Sequence, residues 1–136
     1  MPSPVQPEML APEVVVMGLG YIGLPTAAVI ARTGMRVLGV DVTRSVVDTV
    51  NEGRIHIEEV DLDGLVSGVV ARGLLTASTE VAPADVFVIA VPTPFADDHR
   101  PDVGYVLAAA TSIAAVVTAH SPSPTSHHGV VTGARW

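Results

Sequence analysis

Val14-Val15-Val16-Met17-Gly18-Leu19-Gly20-Tyr21-Ile22-Gly23-Leu24-Pro25 is the stretch that decides how this chain folds. An unbroken apolar run rich in β-branched residues suits a strand buried on both faces of a parallel sheet. The glycines that follow have separate physical uses. Gly18 permits a tight turn, Gly20 lets the backbone approach a pyrophosphate, and Gly23 lets a helix lie close on the sheet. A helix then runs over Tyr21 to Thr33. Pro25 is tolerated in its first turn and Gly34 closes it.

Outward from this unit the same alternation repeats. Arg36 to Val40 reads as a second strand and ends in Asp41. Thr43 is the expected N-cap of a helix through about Val50, closed by Gly53. Leu62, Leu65, Val66, Val69 and Val70 fall at helical spacing within Asp61 to Arg72, and Gly73 stops that helix. Leu74 to Ala77 is a short third strand. Val86 to Val91 is an apolar fourth, ended by Pro92 and Pro94. Tyr105 to Val117 is a last helix, apolar on nearly every side. Alternating buried strands and helices, with right-handed crossovers, predict an α/β fold: a Rossmann-like doubly wound parallel sheet of order 3-2-1-4, truncated before the later strands. In domain terms, 1–12 is a proline-rich disordered leader, 13–117 an incomplete Rossmann domain, and 118–136 a disordered or unrelated tail. The fourth strand would then be an exposed sheet edge, through which copies of the chain associate.

Composition narrows the chemistry. The 136 residues are 49% hydrophobic and 15% charged, which fits one folded domain. Seven basic against fourteen acidic residues give a net charge of −7, so no basic patch meets a nucleic acid. Every basic residue among those seven is Arg; without Lys or Cys, Schiff-base and thiol chemistry are excluded and no catalytic residue is assigned. Met1 to Glu13 has neither a positive n-region nor an apolar h-region, so no secretory signal is expected there. The uncharged runs Val14 to Ala31 and Val103 to Ser126 are read as soluble structure rather than membrane spans, and the protein as cytoplasmic.

The glycine turn, with a strand before it and a helix after it, presents free backbone N–H groups to a phosphate without needing Lys. Asp41 ends the second strand 23 residues beyond Gly18. An acid there accepts hydrogen bonds from the adenosine ribose and repels a 2′-phosphate, which favours NAD over NADP. The bland alternative is an Asp that merely caps the next helix. Arg44 is a candidate neighbour of the ribose, with a solvated helix residue as its plainer reading. Thr93, at the carboxyl edge of the sheet, is a candidate cofactor contact, with a proline-enforced turn as the alternative. Glu58, Glu59, Asp61 and Asp63 are read as acids favoured by a helix N-terminus, so no metal site is assigned. Adjacent His127 and His128 lack zinc-ligand spacing, and His56 and His99 lack a partner.

Val16-Met17-Gly18-Leu19-Gly20-Tyr21-Ile22-Gly23-Leu24-Pro25 resembles the opening of the UDP-glucose/GDP-mannose dehydrogenase family. Ile55-His56-Ile57, Asp61-Leu62, Val91-Pro92-Thr93-Pro94-Phe95, Asp98-His99, Pro101-Asp102 and Tyr105-Val106 extend the resemblance over about Glu13 to Val117. It implies oxidation of a sugar C6 alcohol to a carboxylate with two NAD, and NAD contacts at Tyr21, Ile22, Asp41 and Thr93. These patterns most resemble the members acting on UDP-N-acetyl-D-mannosamine; those acting on UDP-N-acetylglucosamine or UDP-glucose are the alternatives. The family's catalytic Cys and UDP-sugar contacts belong to later domains, so this chain by itself is expected to bind NAD without catalysis. Val60 departs from the family's Pro at that position. The alternative from another class is a free-standing NAD-binding interaction module acting through a partner.

Overall fold

The computed structural model describes residues 11–91, 104–119 and 129–132. In chain order these form β1 (Val14–Met17), α1 (Gly23–Arg32), β2 (Val37–Val40), α2 (Arg44–Asn51), α3 (Leu62–Ala71), β3 (Leu75–Ser78), β4 (Val86–Ile89), α4 (Gly104–Ala119) and β5 (Gly129–Thr132). All strand pairs are parallel, in the order β3-β2-β1-β4-β5. Central β1 pairs on both sides, Val14 standing opposite Val37 of β2 and Val86 of β4.

Strand alternation divides the interior into two cores. Val14 and Val16 face a cluster with Leu24, Ala27 and Ala31 of α1, Val47 and Val50 of α2, and Val66 and Val69 of α3. Val15 and Met17 face the opposite side, with Phe87, Ile89, and Ala109 and Ile113 of α4. Every residue of β1 is therefore buried, which explains why its sequence shows no polar alternation. Gly34, Gly53 and Gly73 follow α1, α2 and α3 with φ of +103°, +76° and +74°, closing the helices where the sequence places their ends.

The order 3-2-1-4 is observed, and a fifth strand continues it. Gly129–Thr132 comes from the segment expected to be a disordered tail and lies parallel to β4, Val86 opposite Gly129 and Ile89 opposite Thr132. This corrects the expected exposed edge at Val86 to Val91, because β4 is interior to the sheet. An apolar strand with open outer N–H and C=O groups is a strong template for pairing, and Gly-Val-Val-Thr has the β-branched residues to occupy it. The leader's first ten residues, Thr93, His99, and His127 and His128 lie outside the described residues. Among the described residues no helix is long and apolar enough to cross a membrane.

The amides of Val86 and Ala90 donate to Glu13 and Met17 on the β1 side, at 3.2 and 2.7 Å. By strand periodicity the Phe87 and Ile89 amides therefore face β5. Hydrogen exchange should find Phe87 and Ile89 protected to the same degree as Val88. Rapid exchange at those two amides, with Val88 slow, would restore β4 to the edge.

Candidate functional site

The glycine turn sits where β1 ends and α1 begins. Gly18 has φ of +97°, and its amide donates to the Val40 carbonyl at 2.7 Å. A Cβ at Gly18 would stand 2.7 Å from the Ala90 carbonyl oxygen, and one at Gly23 only 1.6 Å from the Gly18 oxygen. Both positions are closed to any side chain. Gly20 differs: a Cβ there would meet nothing within 4 Å, so this backbone faces open space. Leu19, between them, is fully buried and lies over Gly39 of β2, where a Cβ would come within 2.6 Å of Leu19 Cδ2.

Asp41 is half-buried immediately after β2. Its Oδ2 accepts the Leu19 amide at 3.0 Å and its Oδ1 accepts the Thr43 amide at 2.9 Å. Thr43 is the N-cap of α2, as expected, but its own side chain makes no capping bond. Asp41 thus does act on the following helix, as the bland reading holds, and also binds the glycine loop. The amides of Gly20, Tyr21, Ile22 and Gly23 make no hydrogen bond among the described residues, and Pro25 has none to offer. These N–H groups, which run from the glycine turn into the first residue of ten-residue α1, carry the partial positive charge that suits an anion.

These features border one cleft of about 630 Å³. Gly18, Gly20, Tyr21 and Asp41 line it together; Ile22 and Gly23 do not line it, and Thr93 is outside the described residues. Arg44 is not brought to the cleft. It lies on the surface with its Nε 3.3 Å from Asp48 Oδ1, an exposed pair worth little to stability. The far wall is supplied by residues the sequence reading passed over: Val42, Thr79 and Val81 beyond the ends of β2 and β3, and Tyr105, Ala108 and Ser112 of α4. Their signal was position, since ligands of open α/β sheets bind beyond the carboxyl ends of the strands. His56 is exposed and lines no part of it, and among the described residues no three metal-ligating side chains come together.

The arrangement suits a dinucleotide: unpaired amides for a pyrophosphate, an open glycine for its close approach, a carboxylate for ribose hydroxyls and apolar walls for a base. Comparison with known proteins points the same way. The profile of the UDP-glucose/GDP-mannose dehydrogenase family, NAD binding domain, matches residues 12–122. The chain is 58% identical over 102 residues to an NDP-N-acetyl-D-galactosaminuronic acid dehydrogenase of Ralstonia nicotianae, covering 75% of this chain and 24% of that protein. It is 55% identical over 102 residues to the UDP-N-acetyl-D-mannosamine dehydrogenase of Escherichia coli K12, with coverage of 75% and 24%. A solved UDP-glucose dehydrogenase from Pyrobaculum islandicum superposes with a TM-score of 0.81 at 34% identity, covering 90% of this chain and 29% of that one. The chain spans about a quarter of the length of the curated relatives it matches.

The glycines should separate folding from binding. Gly20→Ala should leave stability within about 0.5 kcal/mol, as for an open surface position, yet weaken NAD at least about tenfold, or 1.4 kcal/mol. Gly23→Ala should destabilise the fold by about 3 kcal/mol or more through overpacking. Thermal melting and NAD calorimetry on both variants check this; full NAD affinity in Gly20→Ala would remove the pyrophosphate from this loop.

Proposed function

This chain belongs to the UDP-glucose/GDP-mannose dehydrogenase family, carrying its NAD-binding domain, and we propose that it holds NAD for oxidation of a UDP-N-acetylhexosamine at C6. The pyrophosphate lies against Gly20 and Tyr21 in the cleft, with the amides of Ile22 and Gly23 next along the chain as its further donors. Gly18 shapes the turn, Asp41 receives the adenosine ribose, and Val42, Thr79 and Val81 flank the base. Thr93 is proposed as a further cofactor contact on the family resemblance. Arg44, engaged with Asp48, is not needed for this assignment. The observation that carries the reading is the meeting of Gly20 and Tyr21, whose amides are unpaired among the described residues, with Asp41 in one cleft.

NAD when bound supplies a hydride acceptor for the alcohol carbon. The residues of this chain fix where that acceptor sits, which lowers the entropic cost of the reaction only when a substrate is held beside it. Resemblance to the family assigns the second oxidation to a Cys, and this sequence has none. The nucleophile and UDP-sugar contacts are therefore proposed to come from outside these 136 residues. UDP-N-acetyl-D-mannosamine is the proposed substrate of the complete enzyme, and the cytoplasm its compartment, since nucleotide sugars and NAD meet there. Binding of NAD without turnover is equally what a free-standing module would show. Sustained rescue of oxidation by separately added remaining domains favours the enzyme reading.

Asp41 sets the first test. A 2′-phosphate 4 Å from its carboxylate meets a repulsion of about 1 kcal/mol at water-like screening and about 4 kcal/mol near a protein surface. Calorimetry should therefore find NADP bound about fivefold or more weaker than NAD. Asp41→Ala should narrow that ratio while weakening NAD itself, because Leu19 and Thr43 lose their acceptor. Equal affinities in the unmodified protein would sink the assignment. A second test follows NADH absorbance with UDP-N-acetyl-D-mannosamine, where the 136-residue chain alone should give no sustained turnover.

A further inference from the structure

The last residue of α2, Asn51, makes a pair of contacts that the cofactor assignment leaves unused. Its Nδ2 donates to the Ala77 carbonyl at 2.9 Å, and its Oδ1 accepts the Ala77 amide at 2.8 Å. Ala77 lies in β3, the outermost strand on that side of the sheet. The neighbouring Ser78 carbonyl accepts the Asp41 amide at 3.1 Å and so faces inward toward β2. By strand alternation the polar groups of Ala77 point outward, where no strand follows among the described residues. One carboxamide therefore supplies both the donor and the acceptor that a further strand would offer.

These contacts close a ring. Asp41 Oδ1 holds the Thr43 amide at the start of α2; the helix ends at Asn51; Asn51 grips Ala77; and Ser78, next in line, holds the Asp41 amide. Just beyond, the Ser78 hydroxyl accepts the Glu80 amide at 3.0 Å, turning the chain at Thr79, a wall of the cleft. We infer that Asn51 is a positioning residue for the ribose-and-base half of the cleft, fixing Asp41 and Thr79 through Ala77 and Ser78. The inference rests on the NAD-binding reading for its ligand, but its mechanical content does not. The glycine loop meets this ring at one bond, the Leu19 amide on Asp41 Oδ2, and its Gly18–Val40, Leu19–Gly39 and Gly23–Gly18 contacts lie outside it, so the pyrophosphate half depends on Asn51 less than the ribose-and-base half does.

Two variants test it, each checked by melting. Asn51→Ala removes both bonds. Asn51→Asp keeps an acceptor for the Ala77 amide but sets a carboxylate against the Ala77 carbonyl, and serves if Asn51→Ala does not fold. With one or two net hydrogen bonds at stake, NAD and AMP should each weaken by about threefold to tenfold, and inorganic pyrophosphate by less than about twofold. In the ligand-free variants, hydrogen exchange should quicken at the Asp41 amide and stay unchanged at Gly18. Unaltered AMP affinity with an unaltered Asp41 amide would leave Asn51 a strand-edge cap and overturn the inference. Equal weakening of AMP and pyrophosphate would overturn it also, as general loosening. Failure of the unmodified protein to bind NAD would instead remove the cofactor reading, with the Asp41 amide still deciding what Asn51 positions.

Discussion

A backbone-to-backbone approach carries the architecture: the Cα of Gly23 sits so near the Gly18 carbonyl that a methyl group would fall 1.6 Å from its oxygen. That approach sets how close α1 comes to the sheet. The rest of the helix obeys the same limit, for the residues it buries below Leu24 are Ala27, Ala28 and Ala31, all fully inaccessible. Larger side chains on this face would hold the helix off and overpack the core. With α1 drawn in, its first amides stand directly over the carboxyl ends of the strands. The anion site is thus a by-product of close packing, and no side chain is required to make it.

The loop between strand and helix needs a second support, since glycines lose more conformational freedom on ordering than any other residue. β2 provides it twice. Gly39 leaves room for the Leu19 side chain, and Asp41 accepts the Leu19 amide. Hydrogen bonds to a charged group are worth about 1.5–3 kcal/mol where water is partly excluded, enough to offset much of the ordering cost of a short loop. Asp41 therefore has a role in the free protein before any ribose arrives. A ligand that meets a loop already shaped gives up less of its binding free energy to ordering.

The parts legible in the sequence are those whose cause is local. Four residues of continuous apolar character, three glycines and a strand-ending acid announced β1, the turn, α1 and Asp41, because each needs its residue type whatever surrounds it. The helix stops at Gly34, Gly53 and Gly73 were equally local. β5 was not: Gly-Val-Val-Thr lies in a segment of Ser, Pro and His, and becomes a strand only because β4 offers it an unpaired side. Asn51 was passed over for a related reason. At a helix end an Asn reads as a cap or a solvated residue, and its partner lies 26 positions away. Arg44 follows its plainer reading, a solvated helix residue: nearness to Asp41 in sequence does not bring it into the cleft, and it pairs on the surface with Asp48.

An acidic chain that binds an anion poses an electrostatic problem, and the fold answers it by distance and direction. The net charge is −7, yet among the described residues Asp41 is the sole formally charged side chain lining the cleft. The acids before and within α3, Glu58, Glu59, Asp61 and Asp63, are exposed elsewhere, where salt screens them over about 8 Å at physiological ionic strength. The opening of α1 contributes roughly half a positive charge, carried by N–H groups that have no partner among the described residues. Near fixed dipoles outweigh far screened charges. Asp41 is tolerable in that setting because both its oxygens already accept backbone amides, which disperse its charge toward Leu19 and Thr43. What remains of its field acts on the proposed ribose position, where a hydroxyl can donate and a second phosphate cannot. In the proposed assignment, discrimination between dinucleotides comes from the same carboxylate that holds the loop, so loop order and cofactor choice would not be altered independently at this residue.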